Sequence, residues 1–333
     1  MKAVIPVAGI GSRLRPHTHT QPKALIPVAG KPILAHIVDS LKEAGFTDFV
    51  FIIGYLGEKI QDYVNEHYKN TIKSTFVVQS VREGIAHALW MGREHIEGED
   101  EIIIALGDTI FDMNMLDFLH TPHSALGTKS VEDPRRFGVV EIDADGFIKK
   151  LVEKPSIPLS NLALVGIYKI KEVAKLFEAI KYNIENNVRT KNEFQLTDAL
   201  MYMIEKQGTK FISYNVANWF DCGKKDALLE TNAILLKKPE LTTNSENKFH
   251  NTIIIPPVNI SDTCEIRNSI LGPNVSIGPK THIENSIIRE SIIGPEAQIH
   301  NAVLHDSLIG NEASLHGLSQ SLNLGDSAEI NYD

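Results

Sequence analysis

The sequence has little cysteine, no long apolar run and no excess of positive charge. Only two of its 333 residues are cysteines, Cys222 and Cys264, and neither has a metal-ligand partner nearby in the sequence. A disulfide scaffold is therefore not expected. We expect a reducing, cytoplasmic compartment instead. No stretch approaches the roughly 20 consecutive apolar residues that a membrane span needs. The net charge of −9 argues against a nucleic-acid partner, because such binding rests on neutralising phosphates.

What the sequence does contain is a core. Its 43% hydrophobic and 23% charged residues are typical of a globular protein, and its first residues enter a buried-strand pattern with no signal-peptide pattern. Apolar runs alternate with amphipathic stretches up to about residue 235. This alternation predicts an α/β fold, a Rossmann-like mixed, mostly parallel sheet flanked by helices. The predicted strands cover 3–7, 49–53, 75–78 and 102–106, the predicted helices 32–44, 58–68 and 85–96, and a predicted hairpin 138–142 and 147–152.

The composition changes near residue 235, and a repeating pattern begins near residue 252. We interpret 1–237 as one domain, 238–251 as a linker and 252–333 as a left-handed parallel β-helix, with an irregular β-rich tail as the alternative. In such a helix each hexad forms one wall, an aliphatic side chain points inward, and Gly or Asn takes the left-handed corner. Aliphatic residues six apart are Leu271, Ile277 and Ile283, then Ile293 and Ile299, then Ile309 and Leu315; aliphatic-Gly-turn units begin at Leu271, Ile277, Ile293, Ile309 and Leu324.

A glycine-rich turn follows the first predicted strand. Gly9 and Gly11 let backbone N–H groups turn inward, as in sites that cradle phosphate oxygens. A dinucleotide-binding turn would need a third glycine where Leu14 stands, and the Gly-Lys-Ser/Thr of a P-loop is absent. Arg13 and Lys23 supply the positive charge that a triphosphate requires. From this segment alone, a tight turn with solvated basic residues stays open as an alternative.

The segment does not stand alone, since ordered motifs continue over about the first 230 residues. The motifs are Gly9-Ile-Gly-Ser-Arg-Leu-Arg-Pro16, Pro22-Lys-Ala-Leu-Ile-Pro-Val28, Gly84-Ile-Ala-His-Ala-Leu89, Leu106-Gly-Asp108, Phe137-Gly-Val-Val140, Glu153-Lys-Pro155, Leu164-Val-Gly-Ile-Tyr168, Glu193-Phe-Gln-Leu-Thr-Asp-Ala199 and Trp219-Phe-Asp-Cys-Gly-Lys224. Together they closely resemble the signature of sugar nucleotidyltransferases, enzymes that join an NTP to a sugar 1-phosphate and release pyrophosphate. The repeats resemble the β-helix of the family's longer members.

The resemblance implies roles for residues that would hold the nucleotide and a metal. Arg13 and Lys23 would hold the triphosphate and the departing pyrophosphate. Asp108 and Asp221 would bind Mg²⁺, a hard cation that takes one or two carboxylates and keeps several waters. For an isolated Asp at a strand end, a cap or turn would be the usual interpretation. The implied nucleotide-binding residues are Gly9, Gly11, Ser12, Arg13, Gln79, Gly84 and Asp108.

The resemblance also implies a sugar-phosphate site. Glu153 would accept hydrogen bonds from sugar hydroxyls, and Lys154 would hold the attacking phosphate and act with Arg13 and Lys23 in catalysis. Gln79 and Gly84 would read the base. We interpret His87, which lies within an amphipathic pattern, as structural. The implied sugar-phosphate residues are Gly138, Glu153, Lys154, Leu164 and Val165.

The motifs look most like those of long-form glucose-1-phosphate thymidylyltransferases, so dTTP with glucose 1-phosphate is the first expectation. UTP with glucose 1-phosphate, GTP with mannose 1-phosphate, and a non-catalytic subunit that senses nucleotide sugars stay open. For the repeats we expect assembly into a homo-oligomer or a regulatory role. The alternative there is acetyl transfer, for which the candidate histidines are His282, His300, His305 and His316.

Overall fold

The computed structural model describes residues 1–243 and 248–317. The chain divides into two compact units, Met1–Leu228 and Leu229–Asp333, and the division falls within the helix Lys225–Leu235. The boundaries of 237–238 and 251–252 stay predictions. In the described part of the chain, no helix has the length and apolar character to cross a membrane.

The first unit is built on a nine-stranded mixed sheet with helices. Its helices are α1 (Ile33–Glu43), α2 (Gly57–Tyr68), α3 (Ile85–Met91), α4 (Met115–Leu119), α5 (Val173–Glu185), α6 (Leu196–Gln207) and the start of α7 (Lys225–Leu235). Its strands are β1 (Lys2–Val7), β2 (Pro27–Val28), β3 (Lys31–Pro32), β4 (Asp48–Ile53), β5 (Lys73–Val78), β6 (Ile102–Ala105), β7 (Thr109–Asp112), β8 (Ser124–Ser130), β9 (Gly138–Ile142), β10 (Ile148–Glu153), β11 (Leu162–Ile170), β12 (Phe211–Asn215) and β13 (Asn218–Asp221).

The strand order in the large sheet is β10-β9-β11-β6-β1-β4-β5, and β8 and β12 extend it from β11. Neighbours within β6-β1-β4-β5 run parallel, so their carboxyl ends meet at one edge. β1 and β4 are buried almost throughout, as expected for strands covered on both faces. The predicted α/β fold is confirmed. The helix predicted over 85–96 instead ends at Met91, because Gly92 is a poor helix former, and a 3-10 turn follows.

The second unit is a parallel β-helix with three faces, which confirms the predicted fold class. Leu271, Ile277 and Ile283 lie on three different sheets and are all buried, as the six-residue spacing predicts. The strands are β14 (Ile253–Ile254), β17 (Ile270–Leu271), β20 (Ile287–Ile288) and β23 (Val303–Leu304) on one face, β15 (Val258–Ile260), β18 (Val275–Ile277), β21 (Ile292–Ile293) and β24 (Leu308–Ile309) on the second, and β16 (Glu265–Arg267), β19 (His282–Glu284), β22 (Gln298–His300) and β25 (Ser314–His316) on the third.

The corners of the β-helix only partly follow the prediction. Asparagines do take left-handed corners: Asn268 and Asn285 both have φ of 51°, and their side chains are linked by a 3.1 Å hydrogen bond. Of the repeat glycines, Gly272 does have positive φ, at 102°, but the prediction is wrong for Gly278, because the left-handed residue of that unit is Lys280, with φ of 57°. A Cβ at Gly278 would lie 2.6 Å from the nitrogen of Pro295, so this glycine is needed for close stacking of coils. The predicted unit beginning at Leu324 lies outside the described residues.

Candidate active site

The parallel strands β1, β5 and β6 end at the same edge of the sheet, and a predicted site residue follows each of them. Gly9 follows β1, Gln79 directly follows β5, and Asp108 follows β6. These three residues, together with Lys23 and Gly84, line a cleft of about 250 Å³, which we call the first cleft. Open α/β sheets bind ligands outside the carboxyl ends of their strands, so the position of this cleft is the expected one.

The glycine turn after β1 has two glycines with different requirements. Gly11 has φ of 68°, and a Cβ there would lie 2.9 Å from Cβ of Lys23. The hydroxyl of Thr18 donates a 2.9 Å hydrogen bond to the Gly11 carbonyl and holds the turn. At Gly9, no described heavy atom lies within 4 Å of the Cβ position, so a phosphate oxygen could approach the backbone there. The first cleft is lined by Gly9 rather than by Gly11 or Ser12.

Lys23 and Asp108 form an ion pair at the wall of the first cleft. Nζ of Lys23 lies 2.7 Å from Oδ2 of Asp108, and the lysine side chain is only 11% exposed. Burial would raise the pKa of the Asp108 carboxyl, but the charge and hydrogen bond of Lys23, with help from Thr109 and Arg13, lower it below its usual value. Asp108 is therefore a carboxylate held ready at the cleft.

Asp221 reaches the same place from a separate two-stranded sheet. β13 pairs antiparallel with β7, and this register places Asp221 opposite Thr109. Burial raises the pKa of Asp221, and the negative charge of Asp108 raises it further, against the opposing charge of Lys23. A Cβ at Gly223 would lie 2.9 Å from both Oδ1 of Asp221 and Nη2 of Arg13, which shows how closely these groups gather.

The two carboxylates fit a divalent cation that keeps most of its water. The described residues contain no group of three or more His, Cys, Asp or Glu side chains that could enclose a metal. Mg²⁺ in phosphate sites needs only one or two carboxylates, with water and phosphate oxygens completing its shell. Burial and the charge of Asp108 raise the pKa of Asp221, and a divalent cation held by these residues would favour its ionised form. Asp108 and Asp221 thus suit the predicted metal.

A second cleft of about 220 Å³ adjoins the first. Asp108 belongs to the walls of both, and so does Glu193. All of the residues that the sequence assigned to a sugar phosphate lie in the second cleft. They are Gly138, Glu153, Lys154, Leu164 and Val165, and Arg13 and Asp221 line it as well.

Glu153 and Lys154 are held at the rim of this second cleft by specific contacts. The Thr197 hydroxyl donates a 3.3 Å hydrogen bond to Oε2 of Glu153, and Nζ of Lys154 lies 3.0 Å from Oε1. Lys154 has φ of 43°, a left-handed conformation that is costly for a residue with a side chain. Its backbone N–H donates to the carbonyl of Phe137, which fixes that turn. Strain of this kind is common at ligand-binding sites.

The sequence interpretation missed three charged residues in the walls. Arg136 lines the second cleft, Arg82 lines the first, and Glu193 lines both. Arg136 and Glu193 stand within or beside recognised motifs, which is the signal that could have found them. Arg82 sits in the loop between β5 and α3 and carried no such signal. With Arg13, Lys23 and Lys154, the two arginines place five basic side chains in the walls of the two clefts, beside the four carboxylates Asp108, Glu153, Glu193 and Asp221.

Gln79 lines the first cleft and is only 4% exposed. Its Nε2 donates hydrogen bonds of 3.1 Å to the Gly84 carbonyl and to Nδ1 of His87. Gly84 has φ of 105°, and its Cβ position faces the backbone of Phe194. The glycine is therefore required by its conformation and by Phe194, in addition to any close approach of a base.

Comparison with known proteins assigns a family to the part of the chain that contains both clefts. Residues 2–238 match the family model described as nucleotidyl transferase. The low-salt glycan biosynthesis nucleotidyltransferase Agl11 of Haloferax volcanii is 36% identical over 248 residues, 72% of this chain and 68% of that protein. The bifunctional protein GlmU of Methanocaldococcus jannaschii is 36% identical over 255 residues, but the match spans only 59% of that protein. A glucose-1-phosphate thymidylyltransferase of Streptomyces griseus is 32% identical over 245 residues, 72% of this chain and 67% of that protein.

Solved structures agree on the fold. A provisionally assigned glucose-1-phosphate thymidylyltransferase from Bacillus anthracis, in complex with a sucrose, superposes with a TM-score of 0.62 at 29% identity. The superposition covers 70% of this chain and 94% of that one.

Proposed function

We propose, on the premise that this chain belongs to the nucleotidyl transferase family, that it joins an NTP to a sugar 1-phosphate and releases pyrophosphate. The best-supported pair is dTTP with glucose 1-phosphate. The pair rests on the Streptomyces griseus and Bacillus anthracis relatives and on the sequence motifs. UTP with glucose 1-phosphate and GTP with mannose 1-phosphate are the alternatives within the same mechanism.

The proposal rests on one observation: Asp108 lines both of the adjoining clefts. Lys23 and the glycine turn lie on the side of the first cleft, and Lys154 with Glu153 lies in the second. An NTP in the first cleft and a sugar phosphate in the second would meet at Asp108. A transfer between two bound substrates needs this arrangement of two sites with a common edge.

The chemistry is a direct displacement at phosphorus. A phosphate oxygen of the sugar 1-phosphate attacks the α-phosphorus of the NTP and forms a new P–O bond. The bond from the α-phosphorus to the oxygen that bridges to the β-phosphorus breaks, and pyrophosphate leaves. Lys154 would orient the attacking phosphate, and Lys23 would neutralise the triphosphate from the wall of the first cleft as charge shifts to the leaving group. Arg13 lines the second cleft and would act on the triphosphate from there, where the two substrates meet.

Asp108 and Asp221 would hold Mg²⁺ at the shared wall. Such an ion supplies charge neutralisation to the reacting phosphates when it is bound. The ion pair of Asp108 with Lys23 keeps that carboxyl ionised, so the protein side of the site is prepared before the ion arrives. We further propose that the enzyme works in the cytoplasm and assembles as a homo-oligomer.

Recognition of the sugar in the second cleft would depend on Glu153 and Gly138. Oε2 of Glu153 is fixed by Thr197 and faces a cleft, where it can accept hydrogen bonds from sugar hydroxyls. A Cβ at Gly138 would lie 2.8 Å from Cδ1 of Leu164 and 3.3 Å from Oε2 of Glu153, so a side chain there would press on both of these cleft residues. Both features favour a neutral, hydroxyl-rich ring beside the phosphate.

The proposal is tested by measuring pyrophosphate release with Mg²⁺ for a matrix of substrates. dTTP, UTP, GTP, CTP and ATP are each paired with glucose 1-phosphate, mannose 1-phosphate and N-acetylglucosamine 1-phosphate. We expect the highest kcat/KM for dTTP with glucose 1-phosphate. A different preferred pair would correct the substrates and keep the mechanism, whereas no release with any pair would support a non-catalytic, ligand-sensing role.

A further inference from the structure

A tight turn after α5 is tied to the loop that carries Gly84. Thr190 and Glu193 exchange backbone hydrogen bonds in both directions, and the two residues between them, Lys191 and Asn192, have φ of 55° and 65°. These are the features of a two-residue type I′ turn. Behind this turn, Phe194 donates its N–H to the carbonyl of Glu83 at 2.7 Å and accepts from the N–H of Ala86 at 3.0 Å.

Side chains continue this connection as far as Gln79. The Arg189 guanidinium stacks over the ring of Phe194, 3.9 Å from its centroid, and Nη2 of Arg189 lies 2.6 Å from Oε1 of Glu83. The other carboxylate oxygen of Glu83 lies 3.6 Å from Nε2 of His87. Nδ1 of His87 is 3.1 Å from Nε2 of Gln79. Four side chains thus form one chain of contacts from the turn to the first cleft.

The chemistry of these groups fixes which way the Gln79 amide faces. The Gly84 carbonyl can only accept a hydrogen bond, so the nearby amide atom must be the nitrogen. Because that nitrogen can only donate, Nδ1 of His87 must accept, and the ring proton must sit on Nε2, which faces the Glu83 carboxylate. Both amide hydrogens are then used, and Oε1 is the atom left to meet a ligand in the first cleft.

We infer that His87, Glu83 and Arg189 are positioning residues that present Oε1 of Gln79 to the base, so that the site selects a base with a ring N–H on its pairing edge. Thymine, uracil and guanine carry such a ring donor, whereas the ring nitrogen of cytosine and adenine at that edge can only accept, and their donor there is an amino group outside the ring. The inference rests on the proposed function, since it takes the first cleft to be the nucleotide site. It gives His87, interpreted from the sequence as structural, a role in base selection.

The test compares two substitutions that differ in the atom they offer to Gln79. His87→Leu removes the acceptor, so one amide hydrogen is unpaired and the amide can turn. His87→Asn offers an amide oxygen close to the position of Nδ1. We expect His87→Leu to lower kcat/KM for dTTP about tenfold and to reduce the dTTP:CTP preference by a similar factor. His87→Asn should retain most of that preference, and His120→Leu, at an exposed site outside both clefts, should leave it unchanged.

A binding measurement separates this inference from the proposed reaction. Calorimetric titration with dTMP and with CMP gives the same preference without turnover. If the wild type releases no pyrophosphate but loses its dTMP preference on His87→Leu, the inference stands and the proposed reaction fails. If His87→Leu does not fold, Arg189→Met tests the same series of side-chain contacts from its other end. It should weaken the dTTP:CTP preference by a smaller factor. An unchanged dTTP:CTP and dTMP:CMP preference in folded variants, or a wild type that binds neither monophosphate, would overturn the inference.

Discussion

Nζ of Lys23 lies 2.7 Å from Oδ2 of Asp108, and this contact joins two residues 85 positions apart in the sequence. The lysine is nearly buried, and the carboxylate is shared by the two clefts. In a complex with NTP and Mg²⁺, each partner of this pair would have a new partner of opposite charge, phosphate for Lys23 and the cation for Asp108. The pair keeps the Asp108 carboxyl ionised and holds both groups in place until the substrates bind.

Lys23→Ala is expected to lower kcat/KM by 10²-fold or more, since one fixed cation at the reacting phosphates is worth roughly that much. Lys73→Ala is the matched control, because Lys73 also pairs with an aspartate, Asp48, at 3.3 Å but lies 75% exposed. That exposed pair contributes at most about 1 kcal/mol to stability, so activity should not change. Equal activity of the two variants in a pyrophosphate-release assay would contradict the role of Lys23.

Lys154→Met should raise KM for the sugar 1-phosphate much more than KM for the NTP. Lys154 lines the second cleft and is not among the residues that line the first. Steady-state kinetics with each substrate varied in turn measures the difference. Lys150→Met changes an exposed lysine on β10, the strand that ends just before Lys154, and should leave both constants unchanged. A rise confined to KM for the NTP would place Lys154 in the wrong site.

Asp221→Asn should raise the melting temperature at pH 7 in the absence of Mg²⁺, while Asp108→Asn should lower it. Burial raises the pKa of Asp221, so its ionised form destabilises the fold at every pH above that raised value. As the pH falls through the raised pKa, the wild type takes up a proton and the advantage of the variant should disappear. Asp108 is the opposite case, since Lys23 lowers its pKa and its ionised form stabilises the fold at neutral pH. Thermal unfolding in EDTA at several pH values gives both signs, and shifts of the same sign would contradict the electrostatics described.

Gly84→Ala should weaken NTP binding and destabilise the first unit. A Cβ there meets the Phe194 backbone, and φ is 105°. Gly146→Ala separates these two causes, because Gly146 also has positive φ, at 87°, yet no described heavy atom lies within 4 Å of its Cβ position. The control should lose about 1 kcal/mol from backbone strain alone, and Gly84→Ala should lose more. Denaturant unfolding and KM for the NTP measure the two effects; equal losses would show that the Phe194 contact is unimportant.

The sequence predicted the α/β fold because alternating apolar and amphipathic segments have few ways to bury both the apolar strands and the apolar faces of the helices. It also placed Asp108 correctly at a strand end, since strand carboxyl ends share an edge. It could not show that Asp221 reaches Asp108 through the β7–β13 pair, because that pairing joins segments about 110 residues apart. Nor could it show the direction of the Gln79 amide, which depends on Gly84 and His87 together. The corner at Lys280 was missed because close stacking of coils at Gly278 outweighs the local cost of positive φ at the lysine.

The most direct test of the central claim follows the α-phosphorus of the nucleotide. The enzyme is incubated with Mg²⁺, glucose 1-phosphate and dTTP labelled at the α-phosphorus, and the products are separated. We expect all of the transferred label in the nucleotide sugar, one unlabelled pyrophosphate per label transferred, and no label in free dTMP or dTDP. Label in free dTMP or dTDP, or no nucleotide sugar with any of the five NTPs, would contradict a sugar-1-phosphate nucleotidyltransferase.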